Sequence, residues 1–155
     1  MPCAIAFDTK LETPEGPFTV KTVGNSPTAV MTRTDDGATR FAMTVDVCRI
    51  AEAQPVLRIT LDNGRALRVG GEQILFGAEM RELRAADLQA GDQLLSQFAF
   101  PVGYEYLTDA GEARVSDGTV AVTAVAAGGE ADLYSLKVPR SGRFVFAAGV
   151  LGKSE

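Results

Sequence analysis

Apolar and polar residues alternate with a period of two along most of this chain, and this period constrains the fold more than any other feature. Side chains on a β-strand point to opposite faces in turn, so a strand with one buried face has this pattern. We therefore predict many short strands and almost no helix. The alternating runs are Phe18–Val23, Phe41–Val47, Val56–Leu61, Thr119–Val125, Leu133–Val138 and Arg143–Ala147.

Turn-forming residues separate these runs at short intervals, which is typical of antiparallel hairpins. Asn63–Gly64, between two β-rich runs, is the strongest hairpin signal. Together the runs and turns predict an all-β sandwich, barrel or pseudo-barrel. The other turn signals are Pro14–Gly16, Asp35–Gly37, Ala90–Asp92, Asp117–Gly118, Gly128–Gly129 and Ser141–Gly142.

Two segments depart from the alternation. Ala78–Leu88 is the only stretch that could hold a helix, and we expect a single short turn around residues 85–88. Residues 97–118 are the least regular part and are predicted to form an inserted loop or hairpin. Their aromatic side chains would belong to the core by default, or could face a partner; they are Phe98, Phe100, Tyr104 and Tyr106.

The composition is that of one globular domain spanning residues 1–155. Hydrophobic residues make up 46% of the chain and charged residues 23%, which is enough apolar surface to form a core. The net charge of −5 argues against nucleic acid or an anionic membrane as a partner. No apolar run approaches the roughly 20 residues of a membrane span. Since Met1–Cys3 does not begin a leader pattern, we expect a cytoplasmic protein.

The absence of histidine narrows the possible chemistry. The 155 residues contain no His, which is the commonest general acid or base and the commonest metal ligand. Two cysteines, Cys3 and Cys48, can form at most one disulfide and do not make up a tetrahedral zinc site. We expect no metal or cofactor. Cys48 is expected to be a small buried residue in a strand.

Four segments follow one another in an order and spacing that carry a resemblance. They are Asp8–Gly16, the hairpin Leu57–Val69 with Gly70–Leu75, Leu83–Leu94, and Leu133–Val138 with Phe144–Leu151. Together they resemble the Hint (Hedgehog/intein) superfamily, whose domains carry out protein splicing and autoprocessing. The resemblance implies a β horseshoe, or pseudo-barrel, whose two ends lie close together with any active site at their junction.

The resemblance also implies where the first reaction step would lie. A Hint domain begins with a Cys or Ser that attacks the carbonyl of the preceding peptide bond. That position falls on Ala4 or, with a spacing one residue longer, on Cys3. The Thr and His that polarise this peptide bond fall on Gly70 and Gln73. Glutamine can donate a hydrogen bond, but it cannot transfer a proton to the leaving amine.

The C-terminal step is altered as well. Splicing inteins end in His-Asn, and the asparagine cyclises to release the segment that follows it. The matching residues here are Lys153 and Ser154. Serine has no side-chain amide, so this cyclisation is excluded.

Two functions from different classes follow. The first is a degenerate bacterial-type Hint domain that has lost splicing and autoprocessing and serves as a non-catalytic module for an unknown protein or peptide partner. The alternative is a weak self-processing domain, with Cys3 as nucleophile and Gln73 polarising the scissile carbonyl. An unrelated β-barrel that holds a small ligand is a third possibility. The site expected in the first case is a cleft between the chain ends, lined by Cys3, Ala4, Gly70, Gln73 and Lys153.

Overall fold

Two long antiparallel strands organise the fold. In a computed structural model, which describes residues 2–25, 28–96, 105–107, 111–115 and 119–155, strand β6 spans Val45–Leu61 and strand β13 spans Thr119–Lys137. They pair from Leu61↔Val122 to Val45↔Lys137 with several register shifts. Such shifts bend and twist a strand pair.

Thirteen shorter strands complete the described part of the chain, together with one helical turn, α1 (Val20–Val23). The strands are β1 (Ile5–Ala6), β2 (Lys10–Thr13), β3 (Gly16–Thr19), β4 (Ala29–Arg33), β5 (Thr39–Met43), β7 (Ala66–Val69), β8 (Ile74–Phe76), β9 (Glu82–Arg84), β10 (Gln93–Leu95), β11 (Glu105–Leu107), β12 (Ala113–Val115), β14 (Arg143–Val145) and β15 (Leu151–Lys153).

These strands form two larger sheets and three separate hairpins. The five-stranded sheet has the order β1-β7-β6-β13-β10, with β1 paired to both β7 and β13. The four-stranded sheet has the order β14-β15-β8-β9, and the hairpins are β2–β3, β4–β5 and β11–β12. The predicted all-β architecture is confirmed. Hairpin β11–β12 lies within the irregular segment 97–118, whereas Phe98, Phe100, Tyr104 and the side chain of Tyr106 lie outside the described residues.

The Asn63–Gly64 hairpin is confirmed in detail. The Gly64 N–H donates to the Leu61 carbonyl at 3.1 Å, and the Leu61 N–H donates to the Arg65 carbonyl at 2.8 Å. Gly64 has φ +85°, the left-handed conformation that glycine adopts without a steric penalty. The result is a tight connection of four residues, 62–65, between β6 and β7.

Three strand predictions are wrong. The run Phe41–Val47 is divided at Thr44, which lies between β5 and β6. Residues 119–138 were divided by an expected turn at Gly128–Gly129, but β13 runs through both glycines, at a register shift between Ala127 and Glu130. A Cβ on Gly128 would lie 3.1 Å from the Arg58 backbone nitrogen, so the glycine permits a close approach of the two long strands.

The predicted strand Phe18–Val23 also ends early. Thr19 caps a helical turn by accepting a hydrogen bond from the Thr22 N–H, and Val20 and Val23 both become buried. Residues three apart share a helix face, so the same valines satisfy a helical turn. The expected turn near residues 85–88 is present as a 3₁₀ turn at Ala85–Asp87, and a second one spans Ala78–Met80.

The core joins both larger sheets. The main cluster of buried side chains includes Ile59 of β6, Leu75 of β8 and Phe144 of β14. The Phe144 and Phe146 rings pack edge to face with centroids 4.9 Å apart. Cys48, expected to be buried, is exposed, because its part of β6 pairs with β13 at the surface. No helix in the described residues is long and apolar enough to cross a membrane.

Candidate functional site at the junction of the chain ends

The chain ends meet beside the turn between β7 and β8. Strand β1 lies between β7 and β13, and Gly152 of β15 pairs with Leu75 of β8. The turn Gly70–Gln73 leads from β7 into β8, so it lies next to both ends of the chain. We call the residues brought together here the junction: Cys3, Ala4, Gly70, Gln73, Lys153 and Ser154.

Gln73 is fully buried at the centre of the junction. Its Oε1 accepts a hydrogen bond from the Ala4 N–H at 2.8 Å. Its Nε2 donates to the carbonyl of Ile74 at 2.8 Å and to the carbonyl of Lys153 at 3.1 Å. Only this orientation of the amide satisfies one backbone donor and two backbone acceptors. A single neutral side chain therefore joins the N-terminal segment to the C-terminal strand.

Backbone hydrogen bonds hold the N-terminal segment on both sides of Gln73. The Gly70 N–H donates to the Ala4 carbonyl, and the Ile74 N–H donates to the Pro2 carbonyl, each at 2.8 Å. A Cβ added to Gly70 would lie only 3.0 Å from the Ala4 Cβ. Two small residues thus pack where the resemblance implies a hydroxyl donor and a nucleophile.

The Cys3 thiol is buried in the main core cluster. Burial raises the pKa of this thiol from 9.0 to about 12; a hydrogen bond with the Leu136 backbone opposes the increase, and the Glu155 carboxylate adds to it. At pH 7 roughly one thiol in 10⁵ would be ionised. Because the thiolate is the reactive form, Cys3 is a poor nucleophile in this environment.

Lys153 and Ser154 make structural contacts near the C-terminus. Ser154 is buried, and its Oγ accepts from the Val138 N–H at 3.2 Å and donates to the Glu155 carbonyl at 3.1 Å. The Lys153 ammonium is half-exposed and pairs with the Glu82 carboxylate at 2.8 Å.

All five residues expected to line a cleft lie close together, but they do not leave an open one. Cys3, Ala4, Gly70 and Gln73 are buried, and Gln73 fills the space between the chain ends. No buried side-chain nitrogen or oxygen in the described residues lacks a hydrogen bond. A ligand could enter the junction only by displacing these contacts.

Sequence reasoning missed the Ile74 N–H that polarises the Pro2 carbonyl. A backbone donor of this kind has no signature in residue identity, since every non-proline residue carries one.

This arrangement of two larger sheets with adjoining chain ends is the Hint fold, as the sequence predicts. The structure is similar to a mutant of the Ssp DnaB mini-intein (TM-score 0.76, 12% identity, 98% of this chain and 99% of that chain). It is also similar to a DnaB intein from Synechocystis (TM-score 0.75, 12% identity, 98% and 99%) and to a bacterial intein-like domain from Clostridium thermocellum (TM-score 0.72, 15% identity, 97% and 98%). At these identities the likeness concerns the fold. No protein-family model and no curated protein matches the sequence.

Proposed function

We propose that this chain is a Hint-fold domain without self-processing activity that serves as a non-catalytic binding or interaction module. The observation that supports this most directly is the role of Gln73. Its oxygen accepts the Ala4 N–H, and its nitrogen donates to the Lys153 carbonyl. Gln73, at the position of the implied catalytic histidine, therefore links the two chain ends by hydrogen bonds.

Peptide cleavage by the Hint mechanism needs a proton for the leaving amine. The Gln73 Oε1 already accepts a hydrogen bond from the Ala4 N–H, and a neutral amide has no titratable proton to give near pH 7. Gln73 therefore stabilises the intact Cys3–Ala4 peptide and does not help to break it.

The nucleophile and the C-terminal step lead to the same proposal. Ala4 has no nucleophilic atom, and the buried Cys3 thiol remains protonated. Ser154 lacks an amide that could cyclise, and its hydroxyl is engaged with the Val138 backbone.

Weak self-processing by Cys3 is the second candidate, and one observation favours it. The Pro2 carbonyl, which Cys3 would attack, accepts the Ile74 N–H at 2.8 Å and is polarised by it. In this reaction the Cys3 thiolate would form a thioester with the Pro2 acyl group. The Pro2–Cys3 C–N bond would break, and the Cys3 nitrogen would take up a proton. The side chain of Gln73 bonds to the Ala4 N–H and to the carbonyls of Ile74 and Lys153, not to the Pro2–Cys3 peptide bond, so it does not supply that proton.

An intact-mass measurement on a fusion protein separates the two candidates. A soluble domain is joined directly upstream of Pro2, and the fusion is incubated at pH 7–8 with and without dithiothreitol or hydroxylamine, which intercept thioesters. We expect an unchanged mass over several days, because the thiol is buried and protonated.

Cys3→Ala in the same fusion is the matched control. A mass loss that maps to the Pro2–Cys3 bond, increases with hydroxylamine and disappears in Cys3→Ala would overturn the proposal in favour of self-processing. Loss at other bonds, equal in both proteins, would indicate proteolysis and leaves the expected result in place.

A further inference from the structure

A positively charged cleft lies on the face of the β6–β7 hairpin, away from the junction. It has a volume of about 390 Å³ and lies between this hairpin and the segments at residues 8–10 and 147–148. Its basic side chains are Lys10, Arg58, Arg65 and Arg68, and Asp8 is the acidic residue that lines it. We call this feature the basic cleft. Its described lining residues include none from the junction.

The hairpin places two arginines directly opposite each other. Arg58 of β6 pairs with Arg68 of β7. Because the Leu61 N–H bonds to the Arg65 carbonyl, the alternation along the hairpin makes Arg58 and Arg68 a non-hydrogen-bonded pair, in which side chains lie closest. Like charges in this arrangement destabilise a sheet. An anion bound between them would remove that repulsion.

Arg68 is held in place and has its own counter-ion. Its Nη1 lies 2.8 Å from both carboxylate oxygens of Asp8, and its Nε and Nη2 donate to the Gly128 carbonyl at 3.1 and 3.0 Å. The close strand approach that Gly128 permits therefore also fixes the guanidinium at the wall of the cleft.

Two other basic groups of the cleft, those of Lys10 and Arg58, are uncompensated in the described part of the chain. Arg65 donates to the Ala147 carbonyl at 3.0 Å, which orients its guanidinium. Among the described residues, the exposed side chains of Lys10 and Arg58 have no ionic or hydrogen-bonding partner. Of the charges of Lys10, Arg58 and Arg68, only that of Arg68 is thus matched by a carboxylate within the described residues.

This local excess of positive charge contrasts with the whole chain, whose net charge is −5. At physiological ionic strength, charges more than about 8 Å away are largely screened. The neighbouring arginines and lysine therefore dominate the potential in the cleft, despite the acidic remainder of the protein.

We propose that the basic cleft binds an acidic peptide segment of a partner protein. Between the basic side chains the cleft is lined by the half-buried, small apolar side chains of Ala66 and Ala147. Small apolar residues allow an extended backbone to lie close to the surface, while the carboxylates on either side reach Arg58 and Lys10. Bare phosphate would use the charges but not this apolar surface. The site is separate from the junction, so the proposal holds whether or not Cys3 has residual activity.

Fluorescence anisotropy with the full chain tests the proposal. The probe is a labelled peptide of about eight alternating Glu and Ala residues, long enough to cross the cleft when extended. We expect saturable binding that weakens as salt is raised. The double variant Lys10→Gln/Arg58→Gln should bind about tenfold more weakly. Arg81→Gln, which removes an exposed charge outside the cleft, should bind as the parent protein does.

Two competitors make the ligand class testable. A Gln/Ala peptide of equal length should bind at least about tenfold more weakly than the Glu/Ala peptide, and inorganic phosphate should displace the probe only at much higher concentration. Equal binding of both peptides, or equal weakening by Arg81→Gln and the double variant, would overturn the cleft as an acidic-peptide site. If phosphate competes as well as the peptide, the peptide assignment is wrong. The fusion-mass experiment is unaffected by any of these results.

Discussion

The junction and the basic cleft both adjoin strand β7 but differ in how their polar groups are satisfied. In the junction, Gln73 is buried, neutral and hydrogen-bonded at both its oxygen and its nitrogen. In the cleft, two residues before Gly70, Arg68 faces Arg58 across the hairpin. Arg58 and Lys10 are exposed and have no ionic or hydrogen-bonding partner in the part of the chain that the structure describes. The junction therefore belongs to the protein interior, whereas the basic cleft is a surface whose hydrogen-bond donors are available to a ligand.

Under the proposed function, this difference indicates which region of the Hint fold would bind a partner. Groups that are already paired with each other and closed to water have little left for a ligand. Charged groups held near one another at the surface gain most from a partner of opposite charge. The contrast yields four predictions, ordered by expected effect.

The largest effect on stability is expected in the core that packs against the C-terminal strand β15. Phe146 is fully buried against Phe144, and a Cβ on Gly152 would lie 2.6 Å from the Phe146 ring. Phe146→Ala should lower the free energy of unfolding by about 3–5 kcal/mol, as measured by urea denaturation. Phe41→Ala, at a half-exposed ring, is the control and should cost about 1 kcal/mol or less. Similar losses for both would mean that the C-terminal strand is not anchored in the core.

Removal of the Gln73 amide should have the next largest effect. Gln73→Leu keeps similar volume but leaves the Ala4 N–H and the Lys153 carbonyl without their buried partner. We expect a loss of about 2–4 kcal/mol in urea denaturation. Gln54→Leu, at an exposed position, should change the stability by roughly 0.5 kcal/mol or less. A small loss for Gln73→Leu would show that the junction opens readily to water, and the contrast with the cleft would disappear.

Burial of Cys3 should appear as a pH dependence of stability. Its folded-state pKa of about 12 lies above the ordinary value of 9.0, so above pH 9 the unfolded state releases a proton that the folded state keeps. The contribution is present below pH 9 and is lost toward pH 12, by about 1.4 kcal/mol per pH unit.

Comparison with Cys3→Ala isolates this contribution. The stability difference between the parent protein and Cys3→Ala should shift by about 1.4 kcal/mol between pH 8 and pH 10, in favour of the variant at high pH. Cys48→Ala provides the matched loss of an exposed thiol. A difference that stays constant over this range would place Cys3 in contact with water and would strengthen the case for self-processing.

The smallest effect is expected in the basic cleft. Arg58→Gln removes one of two facing positive charges, so the free energy of unfolding should stay the same or increase by up to about 0.5 kcal/mol. Anisotropy should meanwhile show weaker binding of the Glu/Ala peptide. If Arg58→Gln instead destabilised the protein by more than about 1 kcal/mol, Arg58 would have a structural role like that of Gln73.

Local chemistry explains which parts of the fold are predictable from the sequence. The Asn63–Gly64 hairpin depends on residues within one loop, so its type and position can be read from the chain. Gly128–Gly129 is ambiguous, because the same dipeptide suits a turn or a bulge. The β6 backbone against which Gly128 packs decides between them. Val20–Val23 is ambiguous for a similar reason, since strand spacing places Val20 on the same face as Phe18, whereas helical spacing buries Val20 and Val23 together.

The candidate site also has features that the sequence predicts and features that only the structure shows. Sequence comparison within the resemblance identifies Gln73, Gly70, Lys153 and Ser154 as altered positions. It leaves the nucleophile position open between Cys3 and Ala4. The tertiary structure places the Gln73 oxygen on the Ala4 N–H, a contact across 69 residues of chain.

By itself the sequence determined the period of the strands, the local turns, the absence of histidine and the replacement of the implied catalytic residues. These are properties of single residues or short windows. The tertiary structure decided which peptide Gln73 contacts, that Cys3 is closed to water, and that Lys10, Arg58 and Arg68 surround one cleft. Hydrogen-bond partners, desolvation and electric potential depend on groups that are distant in sequence, and only folding brings those groups together.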